Sequence, residues 1–146
     1  MATPFTDALD RLIACFQATF EDSVIVRREE RPELALIEMQ GKYGDYAVHL
    51  REIIRADGSR KYAYYVLREQ RTIVGFDNAS DPRALRLKYS HDYLRHRLEL
   101  VPHRHTEDKA KLELTGDMNC AAFVEWVKGN ILRARPAATE TGIQPD

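Results

Sequence analysis

The stretch YAVHLREIIRADGSRKYAYYVLREQRTIVGF, residues 46–76, decides the fold. From Tyr46 to Arg55 the side chains alternate, with Tyr46, Val48 and Leu50 on one face and His49 and Arg51 on the other. That period of two is the mark of a half-buried strand. Asp57-Gly58 follows as a hairpin turn, since glycine accepts the left-handed backbone that tight turns require. Lys61 to Arg68 then reads as the return strand, and Arg71 to Phe76 as a third, joined through a tight turn at Glu69-Gln70. Three adjacent strands linked by short turns predict an antiparallel meander.

Working outward, Ser23 to Arg27 and Glu33 to Gln40 are β-branched or apolar runs separated by a break at Glu29-Glu30-Arg31-Pro32. Before them, Phe5, Leu9, Leu12, Ile13, Phe16 and Phe20 fall at helical spacing, giving an amphipathic helix to cover the sheet. Downstream, Asp81-Pro82 has the chemistry of a helix start. One helix drawn from there to about Leu98 carries an apolar stripe (Leu87, His91, Leu94, Leu98) and a second face of Arg86, Tyr89, Tyr93, His96 and Arg97. Lys109 to Thr115 alternates as a short late strand, and about Asn119 to Leu132 forms a last helix with Phe123, Val127 and Ile131 on one side. The expected fold is therefore α+β, an antiparallel meander of about four to six strands packed by an N-terminal, a middle and a C-terminal helix. Residues 1–133 form one domain, and residues 134–146, with Pro, Thr, Gly and Gln but no periodicity, are expected to be disordered.

Composition narrows the function classes. A chain of 146 residues with 44% hydrophobic and 31% charged residues suits one globular core. A net charge of −1 excludes a surface that is basic throughout, so a nucleic-acid partner would need a local basic patch. No apolar run approaches the roughly 20 residues of a membrane helix, and the N-terminus lacks the pattern of a signal peptide. Cys15 and Cys120 stand alone, without CxxC spacing, and are read as buried thiols in a reducing cytoplasm.

Two short clusters can carry chemistry. Asp77-Asn78 ends a strand and precedes a helix, where both residue types also serve ordinary turn geometry. His103-Arg104-His105 sets two imidazoles on one side of an extended segment with the guanidinium on the other. Taken together the clusters supply a carboxylate, an amide, two groups that titrate near neutrality, and a fixed cation. Cleavage of RNA uses such a set, with a base for the 2′-hydroxyl, an acid for the leaving oxygen and a cation for the phosphorane. In that reading His103 and His105 are acid and base, Arg104 clamps the phosphate, and Asp77 and Asn78 orient. Asp77, His103 and His105 could instead hold a metal, but no HExxH or paired-acid motif accompanies them, and the expectation is a metal-independent enzyme without cofactor.

The segment 83–104 is locally basic. Arg83, Arg86, Lys88, Arg95, Arg97 and Arg104 stand against only Asp92 and Glu99. Aromatic rings among these charges suit single-stranded RNA, which selects Arg86, Lys88, Tyr93, Arg97 and Tyr64 as nucleic-acid-binding candidates. The same patch allows a second reading, a non-enzymatic module that binds nucleic acid or protein.

Lys61-Tyr62-Ala63-Tyr64-Tyr65, Gly75-Phe76-Asp77-Asn78-Ala79 and Pro102-His103-Arg104-His105, in that order, resemble the TumE family of toxins from toxin–antitoxin modules. The resemblance spans roughly residues 24 to 130, with the basic segment 82–100 between the last two motifs. It implies a cytoplasmic toxin neutralised by a helix-turn-helix antitoxin, and it carries over only to Asp77, Asn78, His103, Arg104 and His105. A homodimer is compatible with the sequence. All of this requires residues 79–102 to fold back so that Asp77 meets His103.

Overall fold

The structure is a computed structural model that describes residues 2–132. The expected tail, 134–146, lies outside the described residues. Helix α1 (Thr6–Thr19) leads into five long strands in succession: β1 (Glu21–Glu30), β2 (Leu34–Tyr43), β3 (Tyr46–Arg55), β4 (Arg60–Arg68) and β5 (Arg71–Asp77). Helix α2 (Pro82–Tyr89) and a 3₁₀ segment (Ser90–His96) intervene before two short strands, β6 (His103–Thr106) and β7 (Lys111–Leu114). Helix α3 (Cys120–Asn130) follows. All seven strands form one antiparallel sheet in sequence order. The α+β meander is as expected, with one strand more than the upper expectation. Among the described residues, no helix is long and apolar enough to cross a membrane.

The sheet has two unlike faces. On one, Ile37, Met39, Val48, Leu50, Tyr64, Val66, Val74 and Phe76 meet Leu9 and Phe16 of α1, Phe20 just after it, and Phe123 and Val127 of α3 in a single apolar core. Phe123 is wholly buried and touches the rings of Phe20, Tyr64 and Phe76. Burying each such side chain contributes about 1.5–3 kcal/mol, so this face supplies most of the drive to fold. Cys15 of α1 and Cys120 of α3 meet at its rim, where burial and the neighbouring thiol push the Cys120 thiol upward.

Among the described residues, the opposite face is covered only at the β6–β7 end, by α2. Ala84 and Leu85 pack there with Val101, Tyr89, Tyr93 and Leu112. The single long middle helix expected from the sequence is not formed. It stops at Tyr89, and Ser90 takes a left-handed φ of 53° before the chain tightens into the 3₁₀ segment. The expected apolar stripe is consequently out in solvent, with Leu87, Leu94 and Leu98 exposed, Leu98 by 83%. His91 is exposed as well, rather than packed among them.

Candidate functional site

The sheet register builds the site. Pairing of β5 with β6 sets Asp77 opposite His103 and Gly75 opposite His105. Pairing of β4 with β5 sets Tyr65 opposite Gly75. Because residues two apart share a face, Tyr65, Asp77, His103 and His105 all project onto the face away from the main core. Residues 79–102 do fold back, so the two clusters are one.

Contacts within the cluster are short. His103 Nε2 lies 2.9 Å from Asp77 Oδ1, His105 Nε2 lies 3.3 Å from Asp77 Oδ2, and the two Nε2 atoms are 3.1 Å apart. The Tyr65 hydroxyl donates to Asp77 Oδ2 at 2.7 Å, and the Ala79 amide donates to Asp77 Oδ1 at 3.0 Å. His103 Nδ1 stands 2.6 Å from the Val101 carbonyl, which can only accept, so that nitrogen carries a proton. Gly75 makes room for the arrangement, since a Cβ there would fall 2.1 Å from the Tyr65 ring. The ring lies across the glycine, reaches Asp77 and stacks near His105 at 6.3 Å between centroids.

Electrostatics separate the members. Burial would raise the Asp77 carboxyl, but hydrogen bonds from His103 and Tyr65 outweigh it and hold the group at about 2. Burial would lower His103, yet its bonds to Asp77 and Val101 push it up. Burial, with repulsion from His103 and Arg83, pulls His105 down. Burial and the bonded Asp77 carboxylate push the Tyr65 hydroxyl upward.

Proton placement meets an obstacle. If both imidazoles direct an N–H at Asp77, two N–H groups face each other at 3.1 Å. If only one does, the other presents a lone pair to a carboxylate oxygen or to a lone pair. With Asp77 ionised, no assignment of protons satisfies all three contacts at once. His103, 1% exposed, also has both ring nitrogens engaged inside the protein and none free for a substrate. The expected roles of His103 and His105 as a matched acid and base are thus poorly served by this geometry.

The surroundings are partly open and carry both charges, Arg83 pairing with Asp81 at 3.4 Å and Arg51 with Glu38 at 3.2 Å. Asp81 caps α2 through the Arg83 amide, and the Arg83 guanidinium reaches to 3.4 Å from His105 Nδ1 and 2.9 Å from the Lys109 carbonyl. Lys109 lies over the Tyr65 ring at 4.9 Å. Beside them a depression of about 210 Å³, lined by Arg51, Lys61, Ala63, Asp77 and Ala79 among others, brings solvent to the Asp77 edge. A second of about 220 Å³ continues along the face past His49, Arg51 and Tyr65.

Several expected site residues lie elsewhere. Arg104 alternates onto the opposite face and pairs with Glu113 at 2.8 Å, so it cannot clamp a phosphate beside the histidines. Asn78 is structural, its side chain accepting from the Tyr62 amide at 2.9 Å and donating to the Arg60 carbonyl at 2.8 Å. Tyr64 is fully buried, with its hydroxyl on Glu52, and cannot stack on a base. Arg86 and Tyr93 bond each other on the outer side of α2, Lys88 pairs with Glu99, and Arg97 donates to the Leu94 carbonyl at 3.4 Å. Tyr65 and Arg83 are the members that sequence reasoning did not assign to the site. Both stood in view, Tyr65 within the tyrosine run and Arg83 within the basic segment, but only the β4–β5 register sets Tyr65 apart from Tyr64, and only the packing of α2 brings Arg83 to His105. In comparisons with known proteins, no family model, no curated protein and no solved structure matches the chain.

Proposed function

We propose that this protein is the toxin of a toxin–antitoxin module and cleaves phosphodiester bonds in RNA at the Asp77, His103 and His105 centre. The observation that carries the reading is the convergence of two imidazoles and a carboxylate, buried yet bordering an open face that presents Arg51, Lys61, Arg83 and Lys109. A phosphate has complementary charges to meet on that face, and arginine suits it in geometry as well as charge. Arg83 takes the clamping role expected of Arg104. The motif resemblance supplies the biological frame, a cytoplasmic toxin restrained by a helix-turn-helix antitoxin.

Expression of the chain without its antitoxin tests this reading. Wild-type protein is expected to arrest growth, and soluble, folded Asp77→Asn and His105→Ala proteins to relieve the arrest while still binding antitoxin. Full toxicity in both variants contradicts the assignment.

A second reading draws on a separate observation, the exposed Leu87, Leu94 and Leu98 beside Arg86 and Arg97 on the α2 and 3₁₀ segment. There the protein blocks its target by binding. Charge reversal at Arg86 and Arg97 would then abolish toxicity, and Asp77→Asn would leave it intact.

A further inference from the structure

We infer that Asp77, His103 and His105 bind one divalent transition-metal ion through one Asp77 carboxylate oxygen and the Nε2 atoms of the two histidines. Three potential ligand atoms, one from each residue, all lie within 4.8 Å of one another. The two Nε2 atoms are 3.1 Å apart, and the carboxylate meets His103 through Oδ1 at 2.9 Å and His105 through Oδ2 at 3.3 Å, so a small turn of the carboxylate gathers one oxygen and both nitrogens on a common centre. Bonds of about 2.0–2.2 Å to one ion place neighbouring tetrahedral or octahedral ligands about 3–3.5 Å apart. An ion also removes the conflict that an ionised Asp77 creates, because it lets a lone pair from each of the three side chains point inward at once.

The outer contacts of His103 and Asp77 fit a metal site, whereas His105 Nδ1, which must donate once Nε2 ligates, faces the Arg83 guanidinium at 3.4 Å, so Arg83 turns aside when the ion binds. A ligating imidazole characteristically donates its second nitrogen to a carbonyl or carboxylate, and His103 Nδ1 meets the Val101 carbonyl at 2.6 Å. The ligating carboxylate is itself held, by the Tyr65 hydroxyl and the Ala79 amide. Asp77 is paired with His103 on the adjacent strand and His105 lies two residues further along it, so the site exists without a loop having to close. Two nitrogens and one oxygen favour zinc, iron(II), cobalt or manganese over magnesium or calcium, which take all-oxygen sets. Three protein ligands leave further positions for water or a phosphate oxygen, the pattern of catalytic rather than structural centres. An ion there supplies positive charge to a phosphoryl oxygen and brings a bound water towards neutral pKa. This use of the ion rests on the function proposed above; the binding does not.

The test is titration of tag-free, metal-stripped full-length protein with Co²⁺ and Zn²⁺, read by calorimetry and by the visible absorption of bound Co²⁺. One ion per chain is expected, with affinity falling at least ~100-fold in Asp77→Asn and His105→Gln and ~10-fold in Tyr65→Phe, where only an outer contact is lost. Absence of binding by folded wild-type protein overturns the inference, as does wild-type affinity in both ligand variants. Should a ligand variant fail to fold, the wild-type stoichiometry and spectrum decide alone. Saturable binding without any RNA cleavage would overturn the proposed function and leave the metal site standing. Cleavage by protein that binds no metal would do the reverse.

Discussion

Tyr64 and Tyr65 are neighbours in the chain, yet they belong to different kinds of surface. Tyr64 projects into the apolar layer under α3, where its ring stacks on Phe123 and its hydroxyl meets the buried Glu52. Tyr65 projects to the other face, half-buried, and holds Asp77 in place. The same division runs through the whole sheet. One face is sealed by two helices and is almost wholly apolar. The other is, among the described residues, sealed at one end only, and there the protein buries two histidines and an aspartate. Burial of polar groups is costly unless each finds a partner, so such a cluster is a candidate site rather than a part of the core.

That contrast can be broken from either side. The largest expected effect is on the sealed face, where Phe123→Ala should destabilise the fold by about 3–5 kcal/mol in chemical denaturation, since it opens a cavity among three aromatic rings. Next is Tyr64→Phe, which leaves the Glu52 carboxylate short of a donor and should cost about 1–3 kcal/mol by the same measurement. Tyr65→Phe should cost less, about 0.5–1.5 kcal/mol, and should lower activity where Tyr64→Phe does not. Gly75→Ala must displace the Tyr65 ring, with a strain of about 1–3 kcal/mol, and should match the activity loss of Tyr65→Phe. The smallest effect belongs to Arg104→Ala, which removes a surface pair worth about 0–1 kcal/mol and leaves RNA cleavage unchanged, whereas Arg83→Ala leaves stability alone and reduces cleavage.

The sealed face was legible in the sequence and the other was only partly so. Alternation in Tyr46–Arg55, the Asp57-Gly58 turn and the helical spacing of Phe5 to Phe20 are local signals, and each element they predict is present. The strand His103–Thr106 has four residues and no local signal, and it becomes a strand by pairing with β5. The middle helix misled because its leucine spacing looked like a buried stripe, whereas the burial comes from Ala84, Leu85 and Val101.

The site turns on a single irregularity. Arg68 pairs with Arg71 and Leu67 with Thr72 across the Glu69-Gln70 turn, but Val66 pairs with Val74, leaving Ile73 as an extra residue. Without that bulge, continuing the register would set Tyr65 opposite Val74 and Tyr64 opposite Gly75, and Asn78 rather than Asp77 would share the face of Tyr65. The motif Asp77-Asn78 was visible in the sequence; which of the two faces the histidines is decided by one residue of register. The same residue of register sets Tyr65 rather than Tyr64 on the face of Asp77, whereas Arg104 is turned away by alternation alone and Arg83 arrives on α2.

The most direct measurement is incubation of purified full-length protein with total RNA, comparing wild type, Asp77→Asn and Arg104→Ala at equal folded concentration. Cleavage by wild type and Arg104→Ala, with loss in Asp77→Asn, is the predicted result. Equal cleavage by all three proteins, or cleavage lost in Arg104→Ala and kept in Asp77→Asn, would contradict a centre on the open face.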